Sequence, residues 1–376
     1  MKVKYIVIGV ILLLISFNTT ASFLKVKEEK NNSNFSFEGN ILYVGGSGVN
    51  NYTKIQDAIN DSNNGDTVFV YNGTYYEYNI TVDKSINLIG ENRDNTTIYG
   101  TNISNILIVI ADWINISGFT LKNSEYAIEL FSGNISISNN NISSNVFGIS
   151  NLFIWDWNDT YIPLNGFVNI KDNIFWNNSE ISVLINGEND LFINVSKNHF
   201  INNSAGFYVV SVYNGIISKN IYENNNISLI IGFGVNVIIK NNHIINNTHG
   251  FSGSFLFNSI IKLNNICNNY HGINIWGGGG NKIIQNNLIN NNLTAEFDRF
   301  AFFETIIKIQ SIGIYPNFFK NIRLISKNKW SENYWNEPRT KPYLIRGNLY
   351  LFLPIRNPVP LFNFDWHPAS EPYDIN

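Results

Sequence analysis

The chain has 376 residues, a formal net charge of −3 and only 14% charged residues, and it is rich in Asn (68) and Ile (58). That balance excludes the basic stripe of a nucleic-acid binder. No Arg occurs between Asp94 and Asp298, which argues against phosphate recognition there. The single cysteine, Cys267, excludes an intrachain disulfide, so stability must come from packing. Apolar and aromatic residues recur between the Asn clusters, which excludes a disordered polar tract.

In chain order, Lys2 and Lys4 precede an apolar run, Tyr5 to Phe17, and small residues at Thr19-Thr20-Ala21. This is the anatomy of a secretory signal peptide over 1–21. An uncleaved membrane anchor is the alternative, although the run is shorter than the roughly 20 residues a bilayer needs. The expected location is secreted or cell-surface, with membrane contact only through this leader. Residues 22–40 read as a polar linker. Residues 41–100 read as an N-terminal cap with the first coils. There Tyr52 to Asn60 has the spacing of a short helix, with Ile55, Ala58 and Ile59 on one side. Thr67–Tyr71 and Ile86–Gly90 read as strands around it.

A repeat follows over 101–335. Ile137, Ile170, Val195, Ile217, Ile239, Ile261, Ile284 and Ile325 each start a unit. Three residues later stands Asn, at 140, 173, 198, 220, 242, 264, 287 and 328. Five after the start comes a large apolar residue: Ile142, Phe175, Phe200, Tyr222, Ile244, Ile266, Ile289 or Trp330. Eight after it, Asn returns at 145, 178, 203, 225, 247, 269, 292 and 333. A weaker copy starts at Ile116, with Phe119 and Ser124 in the Asn places. The step is 22 residues from Asn198 to Asn264, then 23. That period is too short for paired helices and fits one coil of a parallel β-helix. The predicted class is all-β: a single-stranded right-handed parallel β-helix with Asn columns closing its turns.

Two intervals break the period. Asn140 to Asn173 is 33 residues, with the excess placed at Asn151 to Asn165 as a surface loop. Asn287 to Asn328 is 41, which predicts a degenerate coil around Arg299 to Phe319. Residues 336–376 are extended, aromatic and rich in proline, and read as a strap over the last coil.

The segments Tyr43-Val-Gly-Gly-Ser-Gly, Ile55-Gln-Asp-Ala-Ile-Asn, Gly65-Asp-Thr-Val-Phe-Val-Tyr-Asn-Gly-Thr-Tyr-Tyr-Glu and Ile86-Asn-Leu-Ile-Gly-Glu are specific. Together they resemble the opening of the pectin-lyase-like β-helix proteins. More closely, they look like the NosD-type periplasmic copper-binding repeat family and its archaeal surface relatives. Asn333-Tyr-Trp is similar to the tripeptide that ends those repeats, and the resemblance spans about Ile41 to Trp335. It implies the solenoid, and a superfamily that includes polysaccharide lyases, hydrolases and esterases as well as members without known chemistry.

Candidate sites come from the residues. Trp155, Asp156, Trp157 and Asp159 lie in the first excess segment. Trp faces stack on sugar rings and carboxylates bond their hydroxyls, so these four are the expected ligand contacts; folding back over a coil edge is the alternative. Asp156 and Asp159 are also weak catalytic candidates, alongside the local pairs Glu188 with Asp190 and Glu296 with Asp298, because glycoside hydrolysis needs two carboxyl groups across one bond. His249 and His271 occupy one repeat place a coil apart and could share an ion, but no third ligand is evident. His199 and His243 share another place two coils apart. No cofactor is expected, with Ca²⁺ or Cu as minor alternatives. Sequons at Asn72, Asn79, Asn115, Asn134, Asn194, Asn226 and Asn246 are glycosylation candidates. Lys197, Lys219, Lys240 and Lys262 read as solvated turn charges. The leading expectation is a non-catalytic exported module that binds carbohydrate or another cell-surface polymer. A polysaccharide lyase or glycoside hydrolase, and a purely structural surface protein, are the alternatives.

Overall fold

In the computed structural model, residues 39–151, 164–188, 190–300, 327–350 and 358–375 are described. The leader and Trp155, Asp156, Trp157 and Asp159 lie outside them. The chain winds as a parallel β-solenoid with three faces. One is an 11-stranded sheet of short strands, here called the narrow face. The other two merge into a 24-stranded sheet, because strands Tyr343–Tyr350 and Val359–Asp365 pair antiparallel and join them at the C-terminal end. The long face carries the longest strands, such as Ile227–Val235, His249–Phe257 and His271–Gly279. The second face carries Ile114–Ser117, Ile135–Ser138, Phe167–Lys171 and their successors.

Pairing follows the repeat. Ile116, Ile137, Ile170, Val195, Ile217, Ile239 and Ile261 stand in one register row, all buried. Ile142, Phe175, Phe200, Tyr222, Ile244 and Ile266 stand in another. Phe175, Phe200 and Tyr222 stack at 4.7 Å between successive ring centroids, with 4° between planes. These rows fill the interior, where each coil buries apolar area only against its neighbours.

The turns are held by two asparagine ladders. Asn220 shows the rung. Its backbone N–H and its Nδ2 both donate to Asn242 Oδ1, each at 3.0 Å, and Nδ2 also donates to Val195 O at 2.9 Å. Its own Oδ1 accepts from the N–H and Nδ2 of Asn198. Every polar position of the buried amide is used, which removes the cost of placing it in the interior. The first ladder begins where Phe119 N–H donates to Asn140 Oδ1, and the second where Ser124 donates to Asn145 Oδ1. Both starts are the places read for the weak first copy.

Before each rung stands a residue with left-handed backbone: Asp172, Lys197, Lys219, Asn241, Leu263 and Gln285 along the first ladder, all with φ between 53° and 57°. For a side-chain-bearing residue this costs roughly 1–2 kcal/mol. The rung's hydrogen bonds, at about 1 kcal/mol each, offset it.

The structure corrects the ladder near its end. The rungs after Asn264 and Asn269 are Asn286 and Asn291, not Asn287 and Asn292. The 22-residue step therefore continues, and the left-handed residues Gln285 and Asn290 mark the true positions. The following rung of the first ladder is Asn333, and Asn328 belongs instead to a short third ladder with Asn281 and Ser259. Ile283 pairs directly with Trp330 and Leu288 with Trp335, so these strands are neighbours in the stack; residues 301–319 of the expected degenerate coil lie outside the described residues. Trp330 thus continues the row of strand-start residues, and Trp335 takes the large apolar place. At the first break, Asn151 exchanges hydrogen bonds with Asn186, and buried Leu164 bridges to Gly187. Both ends of the expected loop thus belong to the stack.

The first ladder terminates on Asp365, which is fully buried. Its Oδ2 accepts from Asn333 N–H, Asn333 Nδ2 and Trp335 Nε1, and its Oδ1 from the N–H groups of Glu332 and His367. A carboxylate accepts only, so it is suited to finish a series that presents donors at this end. Beside it Asn287 Oδ1 and Nδ2 pair with the backbone N–H and C=O of Tyr373, fixing the tail across the last coil.

At the other end, helix α1 (Ile55–Asp61) buries Ile55, Ala58 and Ile59, as their spacing predicts. Glu77 accepts from the N–H groups of Ile55 and Gln56 at its start, and Lys84 Nζ donates to Ile59 O and Asn60 O at its end. Each charge opposes the helix dipole.

Two consequences are measurable. Ile244→Asp places an unpaired charge in the interior and should abolish cooperative unfolding near the parent Tm; a variant that melts like the parent refutes the register. Tyr222→Phe should stabilise by about 1 kcal/mol, because the buried Tyr222 hydroxyl has no hydrogen-bond partner among the described residues. Denaturant titration of both proteins reads the sign.

Candidate functional site

Alternation along each strand sends every second side chain outward, so successive coils build outward columns about 4.8 Å apart. On the second face three columns meet. The first contains Asn134, Phe167, Phe192 and Asn214, with Phe167 and Phe192 stacked at 5.9 Å and 13°. Trp113, 49% exposed, heads it. The second contains Asn87, Asn115, Ser136, Asn169 and Asn194. Asn194 Nδ2 donates to Asn169 Oδ1 at 2.9 Å, and Asn169 Nδ2 donates to Ser136 Oγ at 3.1 Å. Each amide therefore spends one N–H along the column. The third contains Ser117, Ser138, Lys171, Ser196 and Ser218. Apart from Lys171 these three columns are uncharged, and they mix ring faces with amides and hydroxyls.

The long face carries the acidic groups. Glu129, four per cent exposed, stands in the outward column with Ile108 and Ser150. Asn105 Nδ2 donates to its carboxylate. Burial, and secondarily the nearby Glu125 charge, push its pKa up from 4.5 to about 7. Further along, Glu296 aligns with Arg346 and Asp298 with Asn348, whose Nδ2 donates to Asp298 Oδ1 at 2.9 Å. Burial raises the Asp298 pKa. Burial likewise pushes the Tyr208 hydroxyl up to about 12.

The structure brings His249 and His271 together as the repeat predicts, with rings parallel at 4.7 Å and 7°. Burial, and then the neighbouring His271, lower the His249 pKa. Parallel rings direct their nitrogen lone pairs side by side and not toward a common point. His271 Nδ1 lies 3.8 Å from Glu296 Oε2. Among the described residues no three His, Cys, Asp or Glu converge on an ion position. Cys267 is buried, its Sγ meets Asn265 Oδ1 at 2.9 Å, and burial pushes its thiol up to about 11. These residues do not fit a copper or calcium centre. His199 and His243 are separated by Ile221, two coils apart as read.

Of the sequons, Asn72, Asn79, Asn226 and Asn246 are exposed. Asn115, Asn134 and Asn194 are half-buried in the outward columns of the second face. Glu129 and the Phe167–Phe192 row were not singled out from sequence. The signal for the first was a lone acid in Tyr126-Ala-Ile-Glu-Leu, a strand otherwise buried and apolar. The second needed the residue-by-residue register of the strands Phe167–Lys171 and Phe192–Ser196.

The family model described as periplasmic copper-binding protein (NosD) matches residues 177–352, less than half of the chain. No curated protein matches. Three solved structures are similar at low identity. A mannuronic acid specific polysaccharide family 6 lyase from human gut microbiota is 11% identical, with 70% of this chain and 81% of that one covered and a TM-score of 0.39. The A-module of the mannuronan C-5 epimerase AlgE6 from Azotobacter vinelandii is 14% identical, covering 85% and 95%, with a TM-score of 0.42. ORF18 of Geobacillus virus E2 is 13% identical, covering 78% and 57%, with a TM-score of 0.36. The strand pairing of the chain itself makes it a parallel β-solenoid, and its NosD match is partial.

The Glu129 shift carries a pH dependence. Its folded pKa lies above the unfolded value, so the folded state holds the extra proton between pH 4.5 and 7 and stability falls as pH rises through that window. Glu129→Gln should match the parent at pH 4 and exceed it by about 1–2 kcal/mol at pH 8. Equal stabilities at pH 8 would remove the buried-acid account.

Proposed function

We propose that the chain is an exported polysaccharide-binding solenoid whose contact surface is the N-terminal half of the second face. One observation carries this reading: stacked Phe167 and Phe192 stand beside the Asn169–Asn194 amide row on a rigid, nearly uncharged sheet. Aromatic faces cover the apolar side of a sugar ring, while amides and hydroxyls both donate and accept to its hydroxyl groups. A solenoid repeats these contacts at fixed steps, which suits a polymer better than a small ligand. Trp155, Asp156, Trp157 and Asp159 are proposed as further contacts from sequence alone.

A second reading is enzymatic. Glu129, with a pKa of about 7, has the proton affinity a general acid or base needs at neutral pH. A polysaccharide-cleaving reaction would then belong to the long face.

The test is co-sedimentation of the purified chain with insoluble cellulose, chitin, xylan and mannan, with assay of each supernatant for new reducing or unsaturated ends. Binding without new ends is expected, and Phe167→Ala/Phe192→Ala should weaken it about tenfold or more. Binding unaffected by the double substitution would move the contact surface elsewhere. New ends that disappear in Glu129→Gln would make the enzymatic reading the correct one. No binding to any polymer would overturn both.

A further inference from the structure

The tail of the chain builds the last step of the second face. Strand Val359–Asp365 pairs parallel with Lys329–Ser331, Asp365 lying beside Trp330. Parallel register then sets Phe364 beside Lys329 and Trp366 beside Ser331, all on the outward side. Together with Asn363 and His367 these residues line an open cleft of about 340 Å³. That is within the size of small-molecule sites, roughly 300–1,000 Å³. Its walls are pinned to the last coil. His367 N–H donates to Asp365 Oδ1 at 3.1 Å, and His367 C=O accepts from Glu332 N–H at 2.9 Å. Asn363 Nδ2 donates to Asn328 O at 3.0 Å, Ala369 N–H to Asn333 O at 3.0 Å, and the Tyr373 hydroxyl to Glu332 O at 2.7 Å.

The lining decides what the cleft fits. Trp366 is 63% exposed and leans on Phe364, with 5.1 Å between ring centroids and 35° between planes. An indole held in the open over a cleft offers its face to the apolar side of a sugar ring. Lys329 brings a cation to the same cleft, Ser331 a hydroxyl and His367 an imidazole. Among the described residues no carboxylate and no Arg lines it. The nearest acids are occupied: Asp365 is fully buried with both oxygens taken by N–H groups, and Glu332 accepts from Gln285 Nε2 at 2.9 Å. A planar carboxylate is matched best by the fork of an Arg. Ammonium, imidazole and hydroxyl donate singly and from separate positions, which suits the three free oxygens of a sulfate or phosphate ester.

We propose that the cleft between Trp366, Lys329 and His367 binds a sugar residue that carries a tetrahedral anionic ester, sulfate or phosphate. The proposal rests on the polysaccharide reading for its class of ligand, but its residues belong to other coils than Phe167 and Phe192. Ring and charge are recognised by different side chains, so removing either lowers affinity. The charged part of the attraction is screened by salt.

The purified chain is titrated with dextran, carboxymethyl dextran, dextran sulfate and phosphorylated dextran, which share one backbone, and with inorganic polyphosphate, which has charge and no ring. Binding to the sulfate or phosphate form is expected, falling as salt is added, and the stronger of the two names the ester. Trp366→Ala and Lys329→Gln should each weaken it about tenfold while melting like the parent. Lys122→Gln, on the narrow face, should change nothing. Phe167→Ala/Phe192→Ala should leave this binding intact while lowering co-sedimentation with the insoluble polymers, so the two readings fail independently. If Trp366→Ala does not fold, Trp366→Leu, which keeps bulk without a stacking face, takes its place. Binding to dextran or carboxymethyl dextran as tight as to the esters overturns the proposal, and so does no binding to any dextran or no response to the Trp366 and Lys329 changes. Polyphosphate bound as tightly as the dextran esters also overturns it, since the cleft would then be a plain anion site.

Discussion

Everything else in the molecule depends on the asparagine rung. A solenoid coil must turn the chain sharply several times within 22 residues while leaving its interior dry. The turn used here combines a residue with positive φ and a buried Asn whose amide is fully satisfied by the coils on either side. The strain of the first is offset only if the second has neighbours. One coil alone therefore has no stable turn, and the stack is cooperative by construction. Because each rung donates to the amide oxygen of the next rung on the C-terminal side and accepts from the rung on the N-terminal side, the rung-to-rung hydrogen bonds align and polarise one another.

That alignment sets different requirements at the two ends. The N-terminal end offers acceptors, which backbone N–H groups of Phe119 and Ser124 can satisfy without a special side chain. The C-terminal end offers donors, and Asp365 meets them with both oxygens. The tail clamp of Tyr373 on Asn287 and the antiparallel return of Val359–Asp365 cover the sheet edge in the same region, as an exposed edge requires.

The ladder was legible because its residues are chemically unusual: Asn is seldom buried, so its recurrence at fixed spacing between isoleucines points to amides that satisfy one another along a stack. Where two asparagines are adjacent, at 286–287 and 291–292, spacing alone chose the wrong member, since the left-handed residue before the rung carries no single residue type. Asp365 escaped notice because the last rung is not an asparagine. The outward columns were less legible for a different reason. Inward positions repeat one chemistry, whereas outward positions gain meaning only when coils are aligned residue by residue. The 33-residue interval separates Asn134 from Phe167, and the lysines that looked like one turn position divide between a turn row and a strand column.

Because the stop at Asp365 recognises a rung and not a particular coil, the number of coils is free to vary. An in-frame duplication of any 22 residues between Asn198 and Asn264 would present the same donors to the same carboxylate, and the same acceptors to the start. The lineage can therefore lengthen or shorten the molecule by copy number, as one changes a ruler by whole graduations, and adjust the reach of its outer faces without redesigning either end.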